Sequence, residues 1–285
     1  MAEWIKWVEC PRDAMQGWKK SIPTELKVEY LQKLLEVGFD TIDCGSFVSA
    51  KSIPQMADTS LVLQEINTAG SNSKLLCIIA NERGAMEASA FDNIHYLGFP
   101  FSVSPTFQQR NTNSSMEQSW DRVLQVRDIC VKTNKQLVIY LSMGFGNPYG
   151  DVYNKEIVFE WADKMVDSGV RIISVADTVG LAIPEEVYSI MKVLIDRYPA
   201  VEFGVHLHST KANWKEKIDA ALLAGCLRFD GALKGIGGCP MANDELVGNM
   251  DTELVVPYFL EKNIISNLNM QAFSEAADLA GKIFN

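Results

Sequence analysis

Positive charge is scarce in this 285-residue chain: 26 lysines and arginines stand against 36 aspartates and glutamates, a formal net charge of −10. That balance excludes broad electrostatic binding to nucleic acid or to an anionic membrane surface, both of which need clustered Lys and Arg. Local basic pockets for an anionic ligand stay open. No apolar run is long enough for a signal peptide or a membrane span, so the expected setting is cytoplasmic. The six cysteines, at positions 10, 44, 77, 130, 226 and 239, show no CxxC pairing. Most sit in apolar segments, where a thiol behaves as a small hydrophobe, so reduced core residues are expected. No Gly, Pro or Ser run marks a linker, and no charge block marks a tail. The first apolar run ends in CPRDAMQG, not in the glycine-rich loop that usually follows the first strand of a doubly wound nucleotide-binding sheet. Histidine is scarcer still, with three in all.

What is present is a core-forming composition, 47% hydrophobic and 22% charged, arranged as short β-rich runs alternating with helical periodicity. Strands are expected at Ile5–Glu9, Thr41–Cys44, Leu75–Ala80, Ile94–Gly98, Gln136–Leu141, Arg171–Ala176, Val201–Leu207 and Arg228–Asp230. Helical spacing falls at Thr24–Glu36, Ser114–Thr133, Lys155–Ser168, Pro184–Tyr198 and Asn213–Ala224. Eight such units predict an α/β fold, a (β/α)8 barrel, as one catalytic domain over residues 1–285; barrels of this kind run near 250 residues. A final helix, Met270–Phe284, either caps the barrel or packs on a second copy in a homodimer.

Reacting groups in such barrels lie at the C-terminal ends of strands, so polar residues there are the ones to collect. They are Arg12, Asp13 and Gln16 after the first strand, Asp43 and Ser46 at the second, Asp177 and Thr178 after the sixth, and His206 and His208 at the seventh. Alternate residues of a strand share a face, so His206 and His208 can point at one spot as a metal-binding pair; two separate hydrogen-bonded histidines are the other reading. Asp13 or Asp177 would complete a metal site, or serve only as a helix cap. Arg12 can grip a carboxylate or an enolate oxygen, or form a surface ion pair. Cys239, in GIGGCP, is either a mobile reactive thiol or a passive loop residue. Gln16, Ser46 and Thr178 are candidate substrate contacts.

The segments VECPRDAMQ, IDCGSFVSAKSIPQMAD, SVADTVG, VHLHST, GIGGCP and GNMDTE, in that order, resemble the metal-dependent 3-hydroxy-3-methylglutaryl-CoA lyases. Their wider superfamily includes isopropylmalate and homocitrate synthases and ketoacid aldolases. The resemblance implies a divalent ion, Mg²⁺ or Mn²⁺, held by Asp13, His206, His208 and Asn249. It also implies that Arg12 stabilises an enolate, that Cys239 exchanges a proton with it, and that Glu253 supports the cysteine loop. Asp177 would lie beside the metal as an orienting or proton-handling group. The implied substrate is a small carboxylate or an acyl-CoA, cleaved at a carbon–carbon bond. Its phosphates would need a basic rim, for which Lys51, Arg83, Arg110 and Lys234 are the candidates.

The chain also departs from the lyase pattern. Asp43 stands where the lyases have Glu, Ser209 replaces the acid after His-x-His, Ala212 replaces a glycine, and the loop after Cys239 reads PMANDELVGN. Because these changes fall where substrate is held, two other readings stay in play. One is an aldolase acting on 4-hydroxy-2-oxo acids, and the other is a relative that binds a metabolite without turnover.

Overall fold

A strand covered by helices on its outer face and by side chains on its inner face must be apolar on both, and such runs recur along the chain. The computed structural model describes residues 4–238, 247–266 and 268–285. Its strands are β1 (Lys6–Glu9), β2 (Thr41–Ser46), β3 (Lys74–Ile78), β4 (Ile94–Ser102), β5 (Gln136–Ser142), β6 (Ile172–Ala176), β7 (Glu202–His206) and β8 (Arg228–Gly231). They form a closed barrel in chain order. Every pair is parallel, and β8 returns to β1 through Lys6↔Arg228 and Val8↔Asp230. All eight expected strands are present. Their ends move where neighbours dictate: β4 runs to Ser102, not Gly98, because it pairs with β5 as far as Ser102↔Ser142.

The short helix α1 (Pro11–Gln16) and then α2 (Thr24–Val37) follow β1. Next come α3 (Thr59–Glu65), α4 (Glu82–Ser89), α5 (Pro105–Thr112), α6 (Met116–Thr133), α7 (Lys155–Asp167), α8 (Pro184–Arg197), α9 (Trp214–Leu223), α10 (Thr252–Glu261) and α11 (Met270–Ile283). The helices read from periodicity, α2, α6, α7, α8, α9 and α11, lie within two residues of expectation. Their starts follow local chemistry, as in α6, where Ser115 and Gln118 form a reciprocal capping box. The sequence did not announce α1, α3, α4, α5 or α10, which at six to ten residues barely repeat an apolar period.

Two cores result. Leu76, Ile78, Tyr96, Val138, Tyr140 and Ile172 fill the barrel interior, and a larger cluster packs between strands and helices. In the outer core, Phe259 of α10 meets Trp7 and Phe229 edge to face. Helix α11 lies along α2 of its own chain, with Phe273 against Phe39 and Phe284 against Trp18 and Tyr30. Among the described residues, no helix is long and apolar enough to cross a membrane.

Candidate active site

The turn from β1 into α1 sets the first side chains. Pro11 opens the helix, where its missing N–H costs nothing, and the next turn carries Arg12, Asp13 and Gln16 to the barrel mouth. Arg12 is buried and heavily engaged. Its Nε donates to Asp43 Oδ2 at 2.9 Å, its Nη2 donates to the same carboxylate, and its Nη1 donates to Asp13 Oδ1 at 3.1 Å and to Gln16 Oε1 at 2.8 Å. Four of the five guanidinium N–H groups are thereby used. Gln16 also donates to Asp13 Oδ1 at 2.9 Å. Burial pushes the Asp43 carboxyl up to about 6 against the pull of Arg12. Asp13 is buried too, yet Arg12, His206 and the hydrogen bond from Asn249 hold it below the usual carboxylate range.

Strand alternation does for the histidines what the spacing predicts: Leu207 packs into the core, and the rings of His206 and His208 face the mouth with centroids 5.5 Å apart. Ligand atoms of Asp13, His206 and His208 lie within 4.8 Å of one another. Burial, then the charge of His206, lowers the His208 pKa to about 3, which leaves a neutral imidazole suited to a cation. Burial also works against charge on His206, but the hydrogen bond and charge of Asp230 raise it overall.

Asn249 arrives from the far end of the chain through an antiparallel bridge to His208. Its Nδ2 donates to Asp13 Oδ2 at 2.7 Å and to the Ile236 carbonyl at 2.9 Å. Its Oδ1 is buried and has no hydrogen-bond partner among the described residues. Buried amide oxygens are normally satisfied, so this atom has the character of a cation ligand. Gly237, at φ +122°, passes so close that a Cβ there would sit 2.2 Å from Asn249 Nδ2 and 3.0 Å from Asp13 Oδ2. Two imidazoles, a carboxylate and an orphaned amide oxygen form a donor set suited to a divalent ion.

The remaining candidates divide. Arg12, Asp13, Gln16, Asp43, Thr178, His206 and His208 line a cavity of about 180 Å³ at the mouth, with Tyr140 and Ser142 at its wall. Thr178 Oγ1 accepts the Met143 N–H at 2.9 Å. Ser46 does not line the cavity; its hydroxyl accepts the Val48 N–H at 3.2 Å and shapes the turn after β2. Asp177 also faces away: Oδ1 accepts the Ala182 N–H at 3.0 Å, and Oδ2 pairs with Lys217 Nζ at 2.9 Å. Lys217 is buried and donates to the His208 carbonyl at 2.8 Å as well. Asp177 thus ties the ends of β6 and β7 together. Glu253 accepts from the Lys234 backbone N–H at 3.2 Å and from its Nζ at 3.0 Å, bracing the loop after β8. Cys239 lies outside the described residues.

None of the candidate rim residues Lys51, Arg83, Arg110 and Lys234 is among the residues lining the cavity. Arg83 pairs with Glu87, and Arg110 stacks on Tyr149 at 4.5 Å. A larger cleft of about 1140 Å³ opens at the opposite end of the barrel, lined in part by Lys6, Phe39, Asp40 and Glu202. The clustered ligands are at the C-terminal mouth, where barrel chemistry belongs. Two residues at the site are not among the expected candidates: Asp230, which ends the eighth expected strand and contacts His206, and Lys217, which no local pattern marks.

A family model described as HMGL-like matches residues 5–280. The mitochondrial hydroxymethylglutaryl-CoA lyase of mouse is 32% identical over 99% of this chain and 86% of its own length. Hydroxymethylglutaryl-CoA lyase YngG of Bacillus subtilis is 30% identical over 94% of this chain and 88% of its own. Among solved structures, an HMG-CoA lyase from Acinetobacter baumannii in complex with coenzyme A and 3-methylmalate superposes with a TM-score of 0.90 at 27% identity. That match covers 99% of this chain and 92% of the other.

Proposed function

Since this chain belongs to the HMGL-like family and is a carbon–carbon lyase, we propose that it cleaves a 3-hydroxy acyl-CoA thioester at a site built on Asp13, His206, His208 and Asn249. The observation that carries this reading is the convergence of three ligand side chains with the partnerless Oδ1 of Asn249. Mg²⁺ or Mn²⁺ suits the mixed oxygen and imidazole set. A divalent ion held there would supply Lewis-acid polarisation of the bound substrate and so lower the pKa of its hydroxyl.

The protein's own groups account for the rest. Transfer of the hydroxyl proton to the cavity-lining carboxylate of Asp13 lets the carbon–oxygen bond become a carbonyl as the adjacent carbon–carbon bond breaks, and the electron pair passes to the thioester as an enolate. Arg12 keeps one Nη2 N–H without a hydrogen-bond partner among the described residues. With its guanidinium fixed by Asp43 before reaction, that group stabilises the enolate oxygen without reorganisation. Asp43, one methylene shorter than the glutamate of the lyase pattern, still reaches Arg12 with both oxygens. A proton delivered to the enolate carbon completes the reaction, a role assigned to Cys239 by family resemblance. Asp177 serves as an orienting group, because both of its oxygens are occupied. The free, buried thiols among the described residues suit a reducing, cytoplasmic setting.

A metal-supplemented assay that compares hydroxymethylglutaryl-CoA with free 4-hydroxy-2-oxo acids tests the substrate class. Cleavage of the thioester is expected; turnover of the free oxo acids alone would replace the lyase reading with an aldolase. Arg12→Ala, assayed under conditions where it is folded, should lower turnover by on the order of 10²–10³, the usual cost of one preorganised contact. An unchanged rate would remove Arg12 from the mechanism.

A further inference from the structure

His206 touches a group the reaction scheme does not use. Its Nδ1 lies 3.2 Å from Asp230 Oδ2, directly across the β7–β8 register. With Nδ1 engaged by a carboxylate, Nε2 is the nitrogen left for the cation, and the Nδ1–H tautomer is the one that Asp230 favours. Asp230 is buried, and its Oδ1 has no partner among the described residues.

One pleat below, on the same face of β8, stands Arg228, wholly buried inside the barrel. Its Nη1 reaches Glu202 Oε1 at 3.0 Å, while Nε and Nη2 are without hydrogen-bond partners among the described residues. Burial works against its charge, and the carboxylate of Asp230, two residues on along the same face, is among the charges that favour it. The barrel makes room for the stem of this side chain at a definite place. Gly204 faces Arg228 in register, and a Cβ there would sit 2.9 Å from Arg228 Cβ, Cγ and Cδ. A buried arginine with unused donors is costly, and its position beneath Asp230 supplies the reason to keep it.

We propose that Asp230 is a positioning residue that holds His206 by Nδ1 so that Nε2 is presented to the metal ion, with Arg228 as the countercharge that keeps Asp230 in place. This rests on the metal site proposed above. It separates that site from the neighbouring group of Cys10, His206 and Asp230, whose ligand atoms also lie within 4.8 Å of one another. In this arrangement Asp230 orients the ligand and does not itself bind the ion.

The test is Mn²⁺ affinity by chelator competition, together with the absorption spectrum of the Co²⁺-loaded protein, each measured where parent and variant are both folded. Asp230→Asn should weaken Mn²⁺ binding by about 10- to 100-fold, as loss of a carboxylate behind a ligating histidine does. The Co²⁺ spectrum of the parent should show no thiolate charge-transfer band. Parent-like affinity in Asp230→Asn overturns the proposal, as does a thiolate band that Cys10→Ser abolishes, which would place the ion at Cys10. Should Asp230→Asn fail to fold in EDTA, Gly204→Ala carries the same measurement. It displaces Arg228 and leaves Asp230 in the chain, so weakened binding supports the proposal and unchanged binding refutes it. A double variant, His206→Ala with His208→Ala, keeps the two readings apart. If it binds Mn²⁺ as tightly as the parent, the metal site itself is wrong; if it loses the ion while Asp230→Asn does not, only the positioning role fails.

Discussion

Lys217 shows how much can depend on one buried charge. It emerges from α9 to meet Asp177 and the His208 carbonyl, with both side chains almost wholly out of solvent. Removing one member of such a pair strands the other, at a cost of about 3–5 kcal/mol, whereas replacing both can be nearly neutral. Lys217→Met should therefore lower urea stability by about that much, and adding Asp177→Asn should recover a large part; a Lys217→Met protein as stable as its parent would show the pair to be idle. At this scale the sequence is legible only where chemistry and period coincide. His206-Leu207-His208 reveals itself because strand alternation puts both rings on one face. Asn249 shows only through resemblance, since an asparagine in GNMDTE has no local pattern that marks a ligand. Lys217 was not legible, because a lysine in a helix reads as solvated until tertiary neighbours bury it; Asp230 stands at the end of the eighth expected strand, but no local pattern pairs it with His206.

Among elements, β1 is tied to the turn and helix beyond β8 by a single carboxylate. Glu9 is buried; its Oε1 accepts the Leu233 N–H at 2.7 Å, and its Oε2 accepts from Thr252 Oγ1 at 2.7 Å and Trp7 Nε1 at 3.1 Å. It thereby joins the strand, the turn at Leu233–Gly235 and the start of α10. Burial pushes its pKa from 4.5 up to about 7, even against those donors. The unfolded chain then loses this proton first as pH rises, so the contribution to stability is greatest below about 4.5 and falls away up to about 7, by about 3 kcal/mol. Denaturant unfolding between pH 4.5 and 8 should accordingly show a steeper decline in the parent than in Glu9→Gln, which keeps only the share due to Asp43 and other raised groups; parallel profiles would place the titration elsewhere. The order of strands and long helices is readable from the sequence because both faces of each strand are buried and the apolar period repeats. Helix α10 stays hidden: it is short and interrupted by Pro257, so tertiary packing of Phe259 and not local periodicity sets it in place.

For the whole molecule, alternation indicates a barrel, but nothing in a linear pattern shows that the last strand meets the first. The structure closes that circuit with four residue pairs between β1 and β8. The proposed ligands straddle the same junction, for Asp13 follows β1, the histidines close β7, and Asn249 comes after β8. The hydrogen bond from Asn249 to Asp13 spans 236 positions of sequence. A cation bound by this set would act as a clasp on the seam of the barrel, making its free energy of binding also free energy of closure. At a free ion concentration of 100 Kd, the gain is about 2.7 kcal/mol. Chelation should then raise amide hydrogen exchange first along Lys6–Glu9 and Arg228–Gly231, while the β4–β5 staves opposite stay protected. Equal loosening around the whole circumference would mean that the ion serves the chemistry alone and leaves the seam to its own hydrogen bonds.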